Sequence, residues 1–178
     1  MAKYSQRRIR KLLSDSDSAP TSDAKGEILE TLIKYVFEKV PGVSFLDRNF
    51  LDSSQTQEID LAFWNLQSQS ALCFLEAIIF IECKNTSSPI GSGEVSWFIR
   101  KVQDRGACYG ILVTLNGITG SSDDNNCAYS QILGSLIRDK IKILIVTREE
   151  LLNLNTTDDL VTLLKGKICS LMLYKTIH

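Results

Sequence analysis

Histidine is nearly absent from this chain. In 178 residues there is one, His178, at the last position. That excludes Ser-His-Asp and Cys-His nucleophiles, histidine-dependent nucleases and histidine-bearing zinc centres. Acid–base or metal chemistry therefore falls to carboxylates, Lys, Tyr or Cys. The five cysteines (73, 83, 108, 127 and 169) are odd in number and form no CxxC pair, which reads as reduced thiols in a cytoplasmic protein. No run approaches the ~18 consecutive apolar residues of a membrane span, so no membrane association is expected. The opening residues run into Arg7, Arg8, Arg10 and Lys11 with no apolar region behind them, so no secretory leader is expected.

What is present is the composition of a folded domain, 44% hydrophobic and 23% charged. The length suits one domain with a real core. The net charge of −1 hides an asymmetry. Five of the 20 basic residues lie within 1–13, which holds no acid, and this leaves 15 basic against 21 acidic residues elsewhere. An acidic body disfavours a broad non-specific nucleic-acid surface, while a basic arm could still meet phosphate. Residues 14–23 are a polar Ser/Asp-rich stretch. The chain is accordingly divided into a basic arm and flexible linker over 1–23 and a folded domain over 24–178 with a helical tail.

From Ala24 the apolar residues Ile28, Leu29, Leu32, Ile33, Val36, Phe37 and Val40 recur at helical spacing, and Pro41-Gly42 ends the pattern. Val43–Asn49 and Glu58–Trp64 read as strands, with a turn at 52–55. The run Ile78-Ile79-Phe80-Ile81-Glu82-Cys83-Lys84 reads as a central strand buried on two faces. A helix follows over 94–105, a strand over 109–115, a turn and loop over 116–122, a helix over 127–140, a strand over 141–147 and two short helices near 149–154 and 157–167. This order predicts an α/β fold: a mixed central β-sheet flanked by helices on both faces.

Charges inside strands are unusual, and three stand out: Asp60, Glu82 and Lys84. Residues i and i+2 of a strand share a face, roughly 6–7 Å apart. Glu82 and Lys84 thus point one way and Cys83 the other. If strands 58–64 and 78–84 pair, Asp60 joins the face of Glu82. Adjacent carboxylates repel, and a divalent cation relieves that cost; oxygen ligands with open positions suit Mg²⁺. A neighbouring ammonium can stabilise a developing oxyanion or help a bound water lose its proton. This equipment fits phosphodiester hydrolysis.

Asp60, a gap, and Glu82-Cys83-Lys84 at the end of a hydrophobic strand resemble the PD-(D/E)xK motif of the restriction-endonuclease-like nucleases. Ile59 stands where that motif has Pro. The helix carrying Gly26 four residues before Glu30 resembles the first helix of Mrr-like and type IV restriction enzymes, and the element order over about 24–147 matches that core. The resemblance implies that Asp60 and Glu82 bind metal, that Lys84 is catalytic, that the Cys83 carbonyl is a further metal ligand and that Glu30 completes the set. Glu27, one turn earlier on nearly the same stripe, competes with Glu30. It also implies a restriction-endonuclease-like fold and an Mg²⁺-dependent DNA endonuclease, with Mn²⁺ able to substitute, in restriction or anti-phage defence. A homodimer follows from the need to cut two strands, and a partner protein could supply specificity.

Beyond the motif, Arg100, Lys101 and Arg105 on the next helix are candidate DNA contacts, with a solvated face as the ordinary alternative. Thr86, Ser87 and Ser88 could bind a phosphate. Asn116–Gly120 reads as a turn rather than a phosphate loop, and Trp64 and Trp97 read as core or interface anchors. The competing functions are a catalytically silent DNA- or protein-binding module of the same fold, a repair or junction-resolving nuclease, and an RNA nuclease using the same residues.

Overall fold

The computed structural model of the protein describes residues 1–51, 56–120 and 127–177. The turn expected at 52–55 and the end of the loop at Ser121-Ser122 lie outside them. Among the described residues one sheet has the order β1-β2-β3-β4-β5. Its strands are β1 (Val43–Leu51), β2 (Glu58–Asn65), β3 (Ile78–Lys84), β4 (Tyr109–Thr114) and β5 (Lys142–Val146). The first three pair antiparallel as a meander; β3, β4 and β5 run parallel. The α/β class and mixed sheet agree with the sequence reading.

The two halves differ because their connections differ. β4 and β5 are reached through the helices α3 (Ser92–Asp104) and α4 (Ala128–Asp139). Helical crossovers cover parallel strands, and β3, β4 and β5 are accordingly buried almost throughout. The edge strand β1 alternates between covered and exposed positions, with a bulge between Phe45 and Asp47.

The helix α2 (Ser22–Glu38) packs on one sheet face through its apolar stripe, and Phe37 meets Phe63 at 5.4 Å between ring centroids. Its N-cap is Thr21, whose Oγ1 accepts the Ala24 N–H. The helix ends at a turn through Gly42, at φ +79°, where a Cβ would strike the backbone of Ser70 at 2.9 Å. The helix α3 lies against the opposite face. It approaches β4 at Gly110, where a Cβ would meet Val102 at 2.7 Å and Phe98 at 2.9 Å. The missing side chain lets α3 settle onto the sheet.

The N-terminal segment differs from its expectation as an arm and flexible linker. Residues Gln6–Ser18 form a helix, α1, capped by Ser5 and packed on α2. Ile9, Leu13 and Ser16 recur at i, i+4 and i+7 and are buried, while the basic residues take the outer side. The short apolar stripe, masked by four basic residues and a Ser/Asp run, concealed the helix. Residues before it pair with the tail: the Tyr4 N–H donates to the Asn155 carbonyl at 2.8 Å, and the Thr157 N–H to the Ala2 carbonyl at 2.9 Å. The tail comprises α5 (Arg148–Asn153), α6 (Thr157–Cys169) and a π-helical turn over Ser170–Tyr174. Trp64 and Trp97 are 43% and 49% exposed, so neither is a core anchor. Among the described residues no helix is long and apolar enough to cross a membrane.

Candidate active site

The antiparallel register of β2 and β3 pairs Leu61 with Ile81 and Ala62 with Phe80. Continued by one residue, it sets Asp60 opposite Glu82, so both carboxylates lie on the face that also carries Lys84. Asp60 Oδ2 accepts the backbone N–H of Cys83 at 2.6 Å. Glu82 is almost wholly enclosed, at 3% exposure. Its Oε1 accepts Lys84 Nζ at 3.0 Å and Lys101 Nζ at 2.8 Å. Its Oε2 is buried and has no hydrogen-bond partner among the described residues.

These contacts set the electrostatics. Burial, then the charge of Glu82, pushes the Asp60 carboxyl up to about 6, against the pull of the Cys83 N–H. Burial works against the Lys84 ammonium, but Glu82 and Asp60 outweigh it and hold the group above its ordinary value. The Cys83 thiol is buried; burial first, then Asp60, pushes it well above its ordinary value.

Asp60 and Lys84 open into a cleft of about 460 Å³ between α2, the start of β2 and the end of β3, while Glu82 lies behind them and does not line it. Asp23, Glu27, Glu30, Glu58 and Asp60 line it on the acidic side, with Lys84 as the cation, and Cys83 and Thr86 also line it. Glu30 and Glu27 part company here. Glu30 is buried, whereas Glu27 is exposed. Burial raises the Glu30 carboxyl, partly offset by Arg48, whose Nε donates to Glu30 Oε2. The same guanidinium reaches the Glu27 carbonyl with Nη2 at 2.7 Å. Glu30 thus shares the cleft but is held by Arg48. Among the described residues no three His, Cys, Asp or Glu side chains come together as a metal cluster.

The donor set that does converge, Asp60 with Glu82, fits a hard divalent cation. Two carboxylates share a face, and one has a buried oxygen that no group among the described residues satisfies. An oxygen so enclosed is costly unless something meets it. The Cys83 backbone adjoins both.

The three expected DNA contacts on α3 fall elsewhere, and none lines this cleft. Arg100 is exposed and pairs with Asp104 at 2.9 Å, one turn on. Arg105 braces the approach to β2, donating to the Gln57 carbonyl at 2.7 Å. Lys101 corrects the expectation outright: it is 5% exposed and its ammonium is spent on Glu82, so it offers no surface to a phosphate. Its position beside the apolar stripe of Phe98, Ile99 and Val102 was the signal that it faces inward. Arg48 was missed altogether, since an arginine on an edge strand ordinarily points to water. Thr86 Oγ1 is turned to its own loop, donating to the Ser88 carbonyl at 2.7 Å.

The family model of the Mrr catalytic domain, described as restriction endonuclease, matches residues 22–154. A comparison with curated proteins finds no match.

Proposed function

The chain belongs to the Mrr-type restriction endonuclease family, and from that membership we propose that it is a divalent-metal-dependent DNA endonuclease with Asp60, Glu82 and Lys84 as its working residues. The family match supports the coarser reading, a nuclease of restriction-endonuclease type in a family that in general uses a divalent metal. The finer part is supported chiefly by one observation. Glu82 keeps an unsatisfied, buried Oε2 on the face shared with Asp60, while its other oxygen is occupied by ammonium groups.

Asp60 and Glu82 would hold the ion, with the Cys83 carbonyl adjoining, and Mg²⁺ suits an oxygen donor set, with Mn²⁺ able to replace it. When bound, the cation supplies positive charge that polarises a phosphodiester and acidifies water. The protein's own groups do the remainder. The Cys83 N–H fixes Asp60, so this carboxylate is oriented before any ligand arrives. Lys84 sits at the cleft with a side chain 32% exposed, near enough to Glu82 to be aimed and open enough to donate to a phosphate oxygen as charge develops there. Glu30, neutralised by Arg48, shapes the wall of the cleft rather than joining the ion.

The acidic lining implies that DNA meets the cleft only with its charge compensated by bound cations. We propose further that the protein serves restriction or anti-phage defence in the cytoplasm, with its five free thiols reduced. It would act as a homodimer that cuts both strands, and a partner protein could supply specificity. The test is cleavage of plasmid, branched DNA and RNA with Mg²⁺ or Mn²⁺, wild type against Lys84→Ala. Metal-dependent DNA cleavage lost in the variant supports the reading. Equal activity, or none in either, overturns it. Preference for branched DNA points to a repair nuclease, and preference for RNA to a ribonuclease.

A further inference from the structure

We propose that Lys101 is a positioning residue for the nuclease site, one that holds Glu82 by Oε1 and sets the charge that an incoming cation meets. The proposal rests on the nuclease reading of Asp60 and Glu82.

Lys101 comes from α3, an element that contributes nothing else to the site. Its ammonium is drawn out of water, with the side chain 7% exposed, and lies 2.8 Å from Glu82 Oε1. Burying a lysine is expensive, and a surface lysine would serve stability as well. The arrangement depends on the close approach of α3 at Gly110, where Val102, the neighbour of Lys101, would collide with a Cβ. Lys84 reaches the same Oε1 at 3.0 Å. Two ammonium groups therefore converge on one oxygen, and the other oxygen is left free.

Two consequences follow. Lys84 is the partner with access to the cleft. When it turns to a phosphate, Lys101 still anchors Glu82, so the free oxygen keeps its direction. The second consequence is charge. Asp60 and Glu82 carry two negative charges, and Lys84 and Lys101 carry two positive ones. These four groups balance one another before any ion enters, while Asp23, Glu27 and Glu58 keep the outer lining of the cleft acidic, so a divalent cation makes the four-group set doubly positive. That suits a phosphodiester anion together with an attacking hydroxide. The same balance weakens the hold on the cation itself, because Lys101 opposes it.

A structural ion pair and a positioning residue make different predictions. Loss of a purely structural pair weakens metal binding and turnover together, or leaves both alone. Loss of Lys101 as a positioning residue moves them in opposite directions. The experiment measures Mn²⁺ binding by calorimetry without DNA, and plasmid cleavage at saturating Mn²⁺, for wild type, Lys101→Met and Lys101→Gln. Gln retains an N–H donor for Glu82 without the charge, and it carries the test if Met does not fold. The expected result is Mn²⁺ affinity raised at least about threefold and turnover lowered at least about tenfold. Thermal unfolding should show a larger gain from Mn²⁺ in the variants than in wild type. Mn²⁺ affinity unchanged or weakened in the folded variant overturns the proposal. A wild type that neither binds Mn²⁺ nor cleaves overturns the nuclease reading itself, a result distinct from the first.

Discussion

Asp60 reaches from β2 across to β3 and accepts the backbone N–H of Cys83 at 2.6 Å, one residue from both Glu82 and Lys84. This bond ties the first acid of the motif to the strand that carries the other two residues, so the three cannot drift apart without breaking the sheet. It also holds a carboxylate beside Glu82 although that proximity is unfavourable to both.

The unfavourable part is measurable. The Asp60 carboxyl is raised from 3.8 to about 6, by burial first and Glu82 second. Between those values the folded chain binds more protons than the unfolded one. The contribution of this group to stability is thus intact below about 4, falls as pH rises toward about 6, and stays lost above it. Asp60→Asn should remove that slope and raise the melting temperature of the metal-free protein at pH 7 by about 2–8 °C, from relief of about 1–3 kcal/mol. The same change should abolish stabilisation by Mn²⁺. Thermal unfolding from pH 4 to 8, with and without Mn²⁺, checks both. An undiminished metal response would remove Asp60 from the ion site.

Lys84 separates activity from folding. Its side chain is a third exposed and its partner Glu82 retains Lys101. Lys84→Ala should keep the fold and lower cleavage at least about a hundredfold. Circular dichroism beside a plasmid assay decides it.

Arg48 and Glu30 form a pair across the mouth of the cleft. Arg48→Ala leaves Glu30 buried with an unmatched charge and should cost about 1–3 kcal/mol. Replacing both residues by Ala should recover most of that loss, since the orphaned carboxylate goes with it. Urea unfolding of the two single variants and the double variant gives the coupling. An additive result would mean that the pair contributes nothing jointly.

The helix α1 lies outside the matched family segment, yet it touches the site's neighbourhood. Ser16 Oγ accepts Asn85 Nδ2 at 2.7 Å, immediately after Lys84, and Arg148 holds Asp17 through two bonds of 2.6 and 2.9 Å. Ile9 is fully buried. Ile9→Ala should destabilise the whole protein by about 2–4 kcal/mol in a single cooperative transition. If residues 1–23 were a detached arm, the change would be silent in a denaturant titration.

The sequence by itself carried the strand β3 to the residue, because a near-continuous apolar run ending in charge has one economical reading, and period-two alternation put Glu82 and Lys84 on one face. Helical spacing likewise marked α2 and α3 to within two residues at each end. Pairing was only conditional in the sequence. Whether Asp60 faces Glu82 depends on register between strands separated by the 66–77 connection, and the fold decided it. So too for charge partners: Lys101 and Arg48 meet theirs only when α3 closes on Gly110 and β1 crosses beneath α2. Local pattern is written in side-chain spacing along one element. Ion pairs between elements arise from packing, where burial makes a buried carboxylate take whichever cation the chain brings within reach.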